Sequence, residues 1–279
     1  MKFIKSNTKA NPNETVNIHY VDYGKGDPVL FIHGWPLSLK SWEPQLQAVA
    51  DAGFRCIAYD RRGFGESSRP YDGHDYDTLT EDTRNLILEL DLKNVTLVGF
   101  SMGGGEVVRY FTKYGNDRIK KAVLMSSIIP IVVQKPDNPK GVPEKKLNEI
   151  LEALKTERVT FLKGFGKDFM NADKNSKVIT KQVLEYHWEM AAHASPRATI
   201  ESAKSWGLTD FRPEMKNVNV PTLIIHGDAD QTVPIETSGD QAAKGIKNSQ
   251  YEVISDGPHG LNLTHREKVN KILIDFLKK

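Results

Sequence analysis

Val95-Thr-Leu-Val-Gly-Phe-Ser-Met-Gly-Gly-Gly105, running on into Glu106-Val-Val-Arg-Tyr-Phe-Thr-Lys-Tyr114, carries the strongest fold signal in the chain. Its apolar, β-branched start reads as a buried strand, and residues 106–114 read as a helix. Between them stands Gly99-Phe-Ser-Met-Gly103, a G-x-S-x-G pattern at a strand-to-helix junction. A chain that turns at once from strand to helix pinches its backbone, and residues without side chains fit beside the pinch. The residue at the tip, Ser101, is then held in a strained conformation with its hydroxyl outward. The helix N-terminus beside it presents free N–H groups that favour negative charge. Ser101 is therefore a candidate nucleophile.

Strands and helices alternate on both sides of this junction. Upstream, Val16, Ile18 and Tyr20 alternate with polar neighbours, and residues 22–28 supply turn chemistry, which reads as a hairpin. Val29-Leu-Phe-Ile32 has no polar alternation and suits a strand covered on both faces. It ends at His33-Gly-Trp-Pro36. Residues 42–52 read as a helix and 55–59 as a strand, which runs into the glycine-rich loop Asp60-Arg-Arg-Gly-Phe-Gly-Glu-Ser67. Thr78-x-x-Glu81 reads as a capping box for a helix that buries Leu86, Ile87 and Leu90. Residues 122–125 form a further strand.

From about 128 to 210 the alternation stops and helices take over. Pro143 opens one with Leu147, Ile150, Leu151 and Leu154 on one face. Phe161, Phe165 and Phe169 follow, interrupted by Gly164 and Gly166. Residues 183–194 read as a second helix, and Ser195-Pro196 starts a third. Strands return at 221–225 and 251–254, with a helix near 238–245 between them. Thr264-x-x-Glu267 is read as the cap of a last helix striped by Val269, Ile272, Leu273, Phe276 and Leu277. The expectation is an α/β fold: a mostly parallel central sheet flanked by helices, with residues 1–127 and 211–279 as core and 128–210 as an inserted helical cap.

A serine hydroxyl needs an adjacent base, and the base needs an orienting group. His259 and Asp230 each lie in a loop after a strand, where open α/β sheets bind ligands. Rivals exist. His33 and His226 also end strands; His33 reads as a brace for its own loop. His19, His74, His187, His193 and His265 read as surface or cap residues. Asp60 and Asp228 compete with Asp230, although Asp228 reads as a turn residue. The backbone N–H groups of Met102 and Trp35 are the positions from which an oxyanion hole would be built. Pro36 has no N–H and restricts Trp35 to extended conformations, which should fix the Trp35 carbonyl near the site. Trp35, Pro36, Phe165, Phe169, Trp206, Thr232 and Val233 are candidate substrate-binding residues, and Phe161 and Trp188 belong to the same aromatic set. Their plain alternative is ordinary cap core.

Composition narrows the classes. The 279 residues carry 38 basic and 36 acidic side chains, with no basic stripe for nucleic acid. No apolar run has the roughly 20 residues a membrane span needs, and the start of the chain lacks a signal-peptide core. The single cysteine, Cys56, sits in a strand-like run and reads as a small buried hydrophobe. The Arg61-Arg62 and Lys145-Lys146 pairs read as solvated charge. A cytoplasmic location follows as an expectation, with no protein partner indicated and a homo-oligomer left open.

Five ordered motifs carry a resemblance: His33-Gly-Trp-Pro36, Asp60-Arg-Arg-Gly-Phe-Gly65, Gly99-Phe-Ser-Met-Gly-Gly-Gly105, His226-Gly-Asp-x-Asp230 and Gly257-Pro-His-Gly-Leu-Asn262. Together they resemble the α/β-hydrolase family of cofactor-free bacterial haloperoxidases, perhydrolases and aryl esterases, over essentially the whole chain. The resemblance implies the α/β-hydrolase fold, a triad of Ser101, Asp230 and His259 in that chain order, and no metal or haem. It implies hydrolysis of small carboxylic esters through an acyl-enzyme. It also implies perhydrolysis of a carboxylic acid with hydrogen peroxide to a peracid that oxidises halide outside the site. In such enzymes a proline after the tryptophan goes with better perhydrolysis, which Pro36 matches. A lactonase or a carbon–carbon bond hydrolase would share the triad. A low-turnover binding protein could retain it, and a dehalogenase or epoxide hydrolase would need a carboxylate at 101.

Overall fold

The computed structural model describes residues 1–8 and 12–279. In chain order the elements are β1 (Lys2–Ser6), β2 (Val16–Tyr23), β3 (Pro28–Ile32), α1 (Glu43–Asp51), β4 (Arg55–Tyr59), α2 (Tyr76–Glu89), β5 (Val95–Phe100), α3 (Gly103–Tyr114) and β6 (Ile119–Met125). Then come α4 (Glu144–Thr156), α5 (Arg158–Phe169), α6 (Lys181–His193) and α7 (Pro196–Leu208). The chain closes with β7 (Thr222–Gly227), α8 (Gly239–Gly245), β8 (Ser249–Ile254), α9 (Leu261–Thr264) and α10 (Arg266–Lys278). The strands form one 8-stranded sheet in the order β1-β2-β4-β3-β5-β6-β7-β8. All neighbours are parallel except β1–β2 and β2–β4. This is the expected α/β-hydrolase sheet. None of the helices among the described residues is long and apolar enough to cross a membrane.

The continuous apolar runs are explained by burial on both faces. Successive side chains of a strand point to opposite faces. Leu30, Ile32, Ile57 and Leu97 join a core with Leu79, Leu86 and Ile87 of α2 and Val107, Val108 and Phe111 of α3. Val29, Phe31, Ala58, Val98 and Phe100 join a second core with Leu46 and Val49 of α1 and Val269, Leu273 and Phe276 of α10.

Several local expectations change. No hairpin joins β2 to β3: β2 lies antiparallel to β4, and Arg55 Nε and Nη2 fix it there through Asp22 at 3.0 and 2.9 Å. Strand β1, at the edge of the sheet, buries only Ile4 and Ser6. Helix α2 starts before the capping box expected at Thr78. Asp75 is its cap, accepting the Thr78 N–H at 3.0 Å. Leu90 lies outside α2 and is half-buried. Thr264 does not cap α10; its hydroxyl sits 2.8 Å from His265 Nδ1 at the break between α9 and α10. Helix α3 begins at Gly103 rather than Glu106. Helix α5 runs unbroken through Gly164 and Gly166. Two glycines cost a helix about 2 kcal/mol, and packing of Leu162, Phe165 and Phe169 into the cores outweighs that.

The α4–α7 block sits over the carboxyl ends of the strands and is tied down by backbone groups. Ser195 N–H donates to Gly63 O at 2.7 Å, Phe211 N–H to Pro130 O at 2.9 Å, and Gly260 N–H to Phe169 O at 2.9 Å. Trp35 Nε1–H reaches up to Thr199 O of α7 at 2.9 Å.

Candidate active site

Strand β5 delivers Ser101 into a left-handed conformation, φ 53°. A side chain on Gly99 would meet Gly103 O at 2.5 Å, so the pinch requires glycine there. Ser101 N–H is held by Met125 O at 2.9 Å. Its hydroxyl is 2.9 Å from His259 Nε2. His259 Nδ1–H donates to Asp230 Oδ2 at 2.7 Å. The other oxygen, Oδ1, accepts the N–H groups of Thr232 and Val233 at 2.9 and 2.8 Å. Burial works against the Asp230 charge. The charge of the facing His259 ring and the hydrogen bonds from His226 and His259 overcome it, and they hold the carboxyl far below the usual carboxylate range. The chain of Ser101, His259 and Asp230 can pass a proton from Oγ to Nε2 without rearrangement.

The rivals are placed elsewhere. Asp228 accepts the N–H of Asp256 at 2.7 Å, away from His259. Asp60 is buried against His19 at 2.8 Å. His33 braces its loop, as expected: Nδ1–H donates to Gly34 O at 2.9 Å and Nε2 accepts the Arg61 N–H at 3.0 Å. Burial, and then the Arg61 charge, push its imidazole down to about 3. His19, His74 and His187 are buried rather than superficial. His226 stands beside Asp230, with Nε2 3.3 Å from Oδ2.

A cavity of about 610 Å³ opens onto Ser101 and His259. Its wall includes Trp35, Phe161, Phe165, Trp206, Thr232 and Val233. Two of the candidate lining residues fall outside that wall. Phe169 lies at the carboxyl end of α5, where its ring meets His259 edge-on with centroids 4.7 Å apart and also packs on Phe100. It walls in the imidazole rather than the cavity. Pro36 is buried within the turn closed by Leu37 N–H on Gly34 O at 3.0 Å. Trp188, from the wider aromatic set, is also elsewhere; its Nε1–H is spent on Val159 O at 3.0 Å. Lys145 and Lys146 are both exposed, as expected of solvated charge, and Lys146, with Lys140 and Asp168, also belongs to the cavity wall.

The larger correction concerns Arg61 and Arg62, which are buried rather than solvated. Arg62 pairs with Asp82 through Nε at 2.6 Å and Nη2 at 2.8 Å. Arg61 Nε donates to Glu106 Oε1 at 2.7 Å, and its Nη2 donates to the same oxygen and to His33 O at 2.7 Å. Tyr59 O–H donates to Glu106 Oε2 at 2.7 Å. The cluster ties the ends of β3 and β4 to α3. It thereby fixes the Gly34–Leu37 turn against the serine: a side chain on Gly34 would come within 2.8 Å of the Phe100 ring and 3.1 Å of Ser101 Cβ. Polar residues directly after two buried strands were the available signal, because a charge there has little access to water.

The alpha/beta hydrolase fold family matches the chain over residues 27–266. A non-heme chloroperoxidase of Kitasatospora aureofaciens is 41% identical, with 95% of this chain and 97% of that protein covered. A bifunctional esterase/perhydrolase of Acinetobacter calcoaceticus is 35% identical, with 94% and 96% covered. The crystal structure of a bromoperoxidase from Bacillus anthracis superposes with a TM-score of 0.94 at 43% identity, covering all of both chains. The family match over most of the chain and the 35–43% identity to these relatives show that the chain belongs to the α/β-hydrolase family.

Proposed function

We propose that the protein is a serine hydrolase of small carboxylic esters that also transfers the acyl group to hydrogen peroxide. The observation that carries this is the continuous hydrogen-bonded line from Ser101 Oγ through His259 to Asp230 at the floor of an apolar cavity. In the proposed cycle His259 Nε2 takes the Ser101 proton as Oγ attacks the ester carbonyl. Asp230 fixes the tautomer and stabilises the imidazolium. The N–H groups of Met102 and Trp35 receive the oxyanion; one such donor is typically worth about 10²–10³ in rate. His259 returns the proton to the leaving alcohol, and the acyl group remains on Ser101. Water then gives an acid, or peroxide a peracid: each loses one proton to His259 Nε2 as it attacks the acyl carbonyl, and His259 returns that proton to Ser101 Oγ as the acyl–oxygen bond breaks. The peracid oxidises halide away from the site.

The names of the relatives support the peroxide branch, since they include a non-heme chloroperoxidase and an esterase/perhydrolase. The aromatic and aliphatic wall fits a short acyl or aryl group, with residues 128–210 acting as the cap that selects it and residues 1–127 and 211–279 as the catalytic core. Cys56 is buried with its thiol pushed up to about 12 by that burial, so it stays protonated and takes no part in the proposed reaction. A chain-length series of nitrophenyl esters, assayed with and without peroxide, tests the proposal together with fluorophosphonate labelling of Ser101. Absence of labelling in the folded protein overturns it, as does labelling that survives Ser101→Ala.

A further inference from the structure

His226 ends β7 four residues before Asp230, and its ring is buried. Nε2 is hydrogen-bonded to Val233 O at 2.9 Å, and Asp230 Oδ2 at 3.3 Å and Ser238 Oγ at 3.4 Å also lie beside it. A carbonyl and an ionised carboxylate offer no proton, so Nε2 must carry one. Nδ1 is buried without any partner among the described residues, so nothing there competes for the proton. The ring packs directly against the start of α8. A side chain on Gly239, the first residue of α8, would meet His226 Cβ at 2.9 Å and Tyr251 O–H at 3.0 Å.

The oxygen that His226 touches is the one that holds His259. Asp230 Oδ1 thus accepts the Thr232 and Val233 N–H groups, while Oδ2 accepts from His259 at 2.7 Å and has His226 Nε2 3.3 Å away on its other side. We propose that His226 is a positioning residue for the reaction: its Nε2–H shares the Asp230 oxygen with His259, aiming that oxygen and limiting its pull on the His259 proton. The other polar groups around the ring leave this role to His226. Ser238 Oγ, 3.4 Å from Nε2, donates to Pro234 O. Tyr251 donates to Asp240 at 2.9 Å, and Asp228 is engaged by the Asp256 N–H.

The direction of the effect follows from the donor count on Oδ2. Removing one donor leaves more charge on the oxygen, which stabilises a protonated His259. The acid limb of kcat/KM, set by the free enzyme's base, then moves up. His226→Leu should raise that limb by about half to one pH unit. His226→Gln, whose amide nitrogen reaches where Nε2 stood, should keep it at the wild-type position. His226→Asn, polar but too short to reach, should behave like the leucine variant and substitutes for it if the latter does not fold.

A role confined to bracing the Val233 carbonyl predicts lower stability or turnover with the limb unmoved in every variant, and that result overturns the inference. Equal shifts in His226→Gln and His226→Leu overturn it too, because ring shape rather than the donor would then be responsible. The inference rests on His259 acting as the base. The wild-type protein tests that separately, since a wild type lacking both fluorophosphonate labelling and an acid limb fails the functional proposal and not the His226 comparison.

Discussion

Arg61→Met removes the cation that faces Glu106. In the native protein Glu106 is fully buried, and Arg61 contributes two N–H groups to one of its oxygens. The variant would leave that carboxylate with only the Tyr59 and Thr83 hydroxyls, at 2.7 and 3.4 Å. Breaking a buried pair from one side costs about 3–5 kcal/mol, because the remaining charge is neither solvated nor paired. Against a total stability of roughly 5–15 kcal/mol, such a loss is visible at once in a urea midpoint. Removing both charges should behave differently. In Arg61→Met/Glu106→Leu no charge is stranded, and Tyr59 keeps Thr83 as a partner at 2.8 Å, so stability should return to within about 1 kcal/mol of wild type. Activity should not return with it. His33 O loses its 2.7 Å donor, and the turn whose Gly34 packs on Ser101 loses its anchor. Ester turnover should fall at least about tenfold with a smaller change in KM, since small displacements beside reacting atoms are costly. The assays are urea unfolding and nitrophenyl acetate kinetics on all three proteins. A single variant within about 1 kcal/mol of wild type refutes the reasoning, as does a double variant that is no more stable than the single or that turns over like wild type.

Acid should destabilise the protein through buried imidazoles. Burial lowers His33 to about 3 and His74 and His187 to about 4, below the unfolded value of about 6.5. Their contribution is therefore complete above pH about 6.5 and is lost as pH falls toward those values, at about 2 kcal/mol per ring by pH 5. A urea midpoint that stays level from about pH 7 to about pH 5 contradicts this. Pro36→Leu should lower the ratio of perhydrolysis to hydrolysis without abolishing ester cleavage, and an unchanged ratio removes Pro36 from the peroxide branch. Exposed Lys140 and Lys146 in the cavity wall outnumber its one carboxylate, Asp168. The double change to Met should lower kcat/KM about three- to fivefold for aryl esters with a terminal carboxylate, in low salt, and leave neutral esters alone. Equal effects on both substrates rule out charge as the cause.

Residue order alone made legible the parts of this protein that depend on local chemistry. Unbroken apolar runs such as Val29–Ile32 suit strands with two covered faces. Gly99 and Gly103 around Ser101 mark a pinch. Strand-end loops gather at one edge of a parallel sheet, so residue order alone points to convergence of Ser101, Asp230 and His259. Long-range placement needed the folded chain. Arg61 and Arg62 look like surface charge in any local window; their partners Glu106 and Asp82 lie on helices 45 and 20 residues away, and only the fold buries the pairs. Phe165 and Phe169 sit one helical turn apart, yet one lines the cavity and the other covers the His259 ring, because side-chain direction depends on how α5 docks. His226 looked like one more strand-end histidine. Its contact with Asp230 arises because the loop folds back over β7, bringing Val233 O and a carboxylate oxygen to the same nitrogen, and a linear reading has no term for that return.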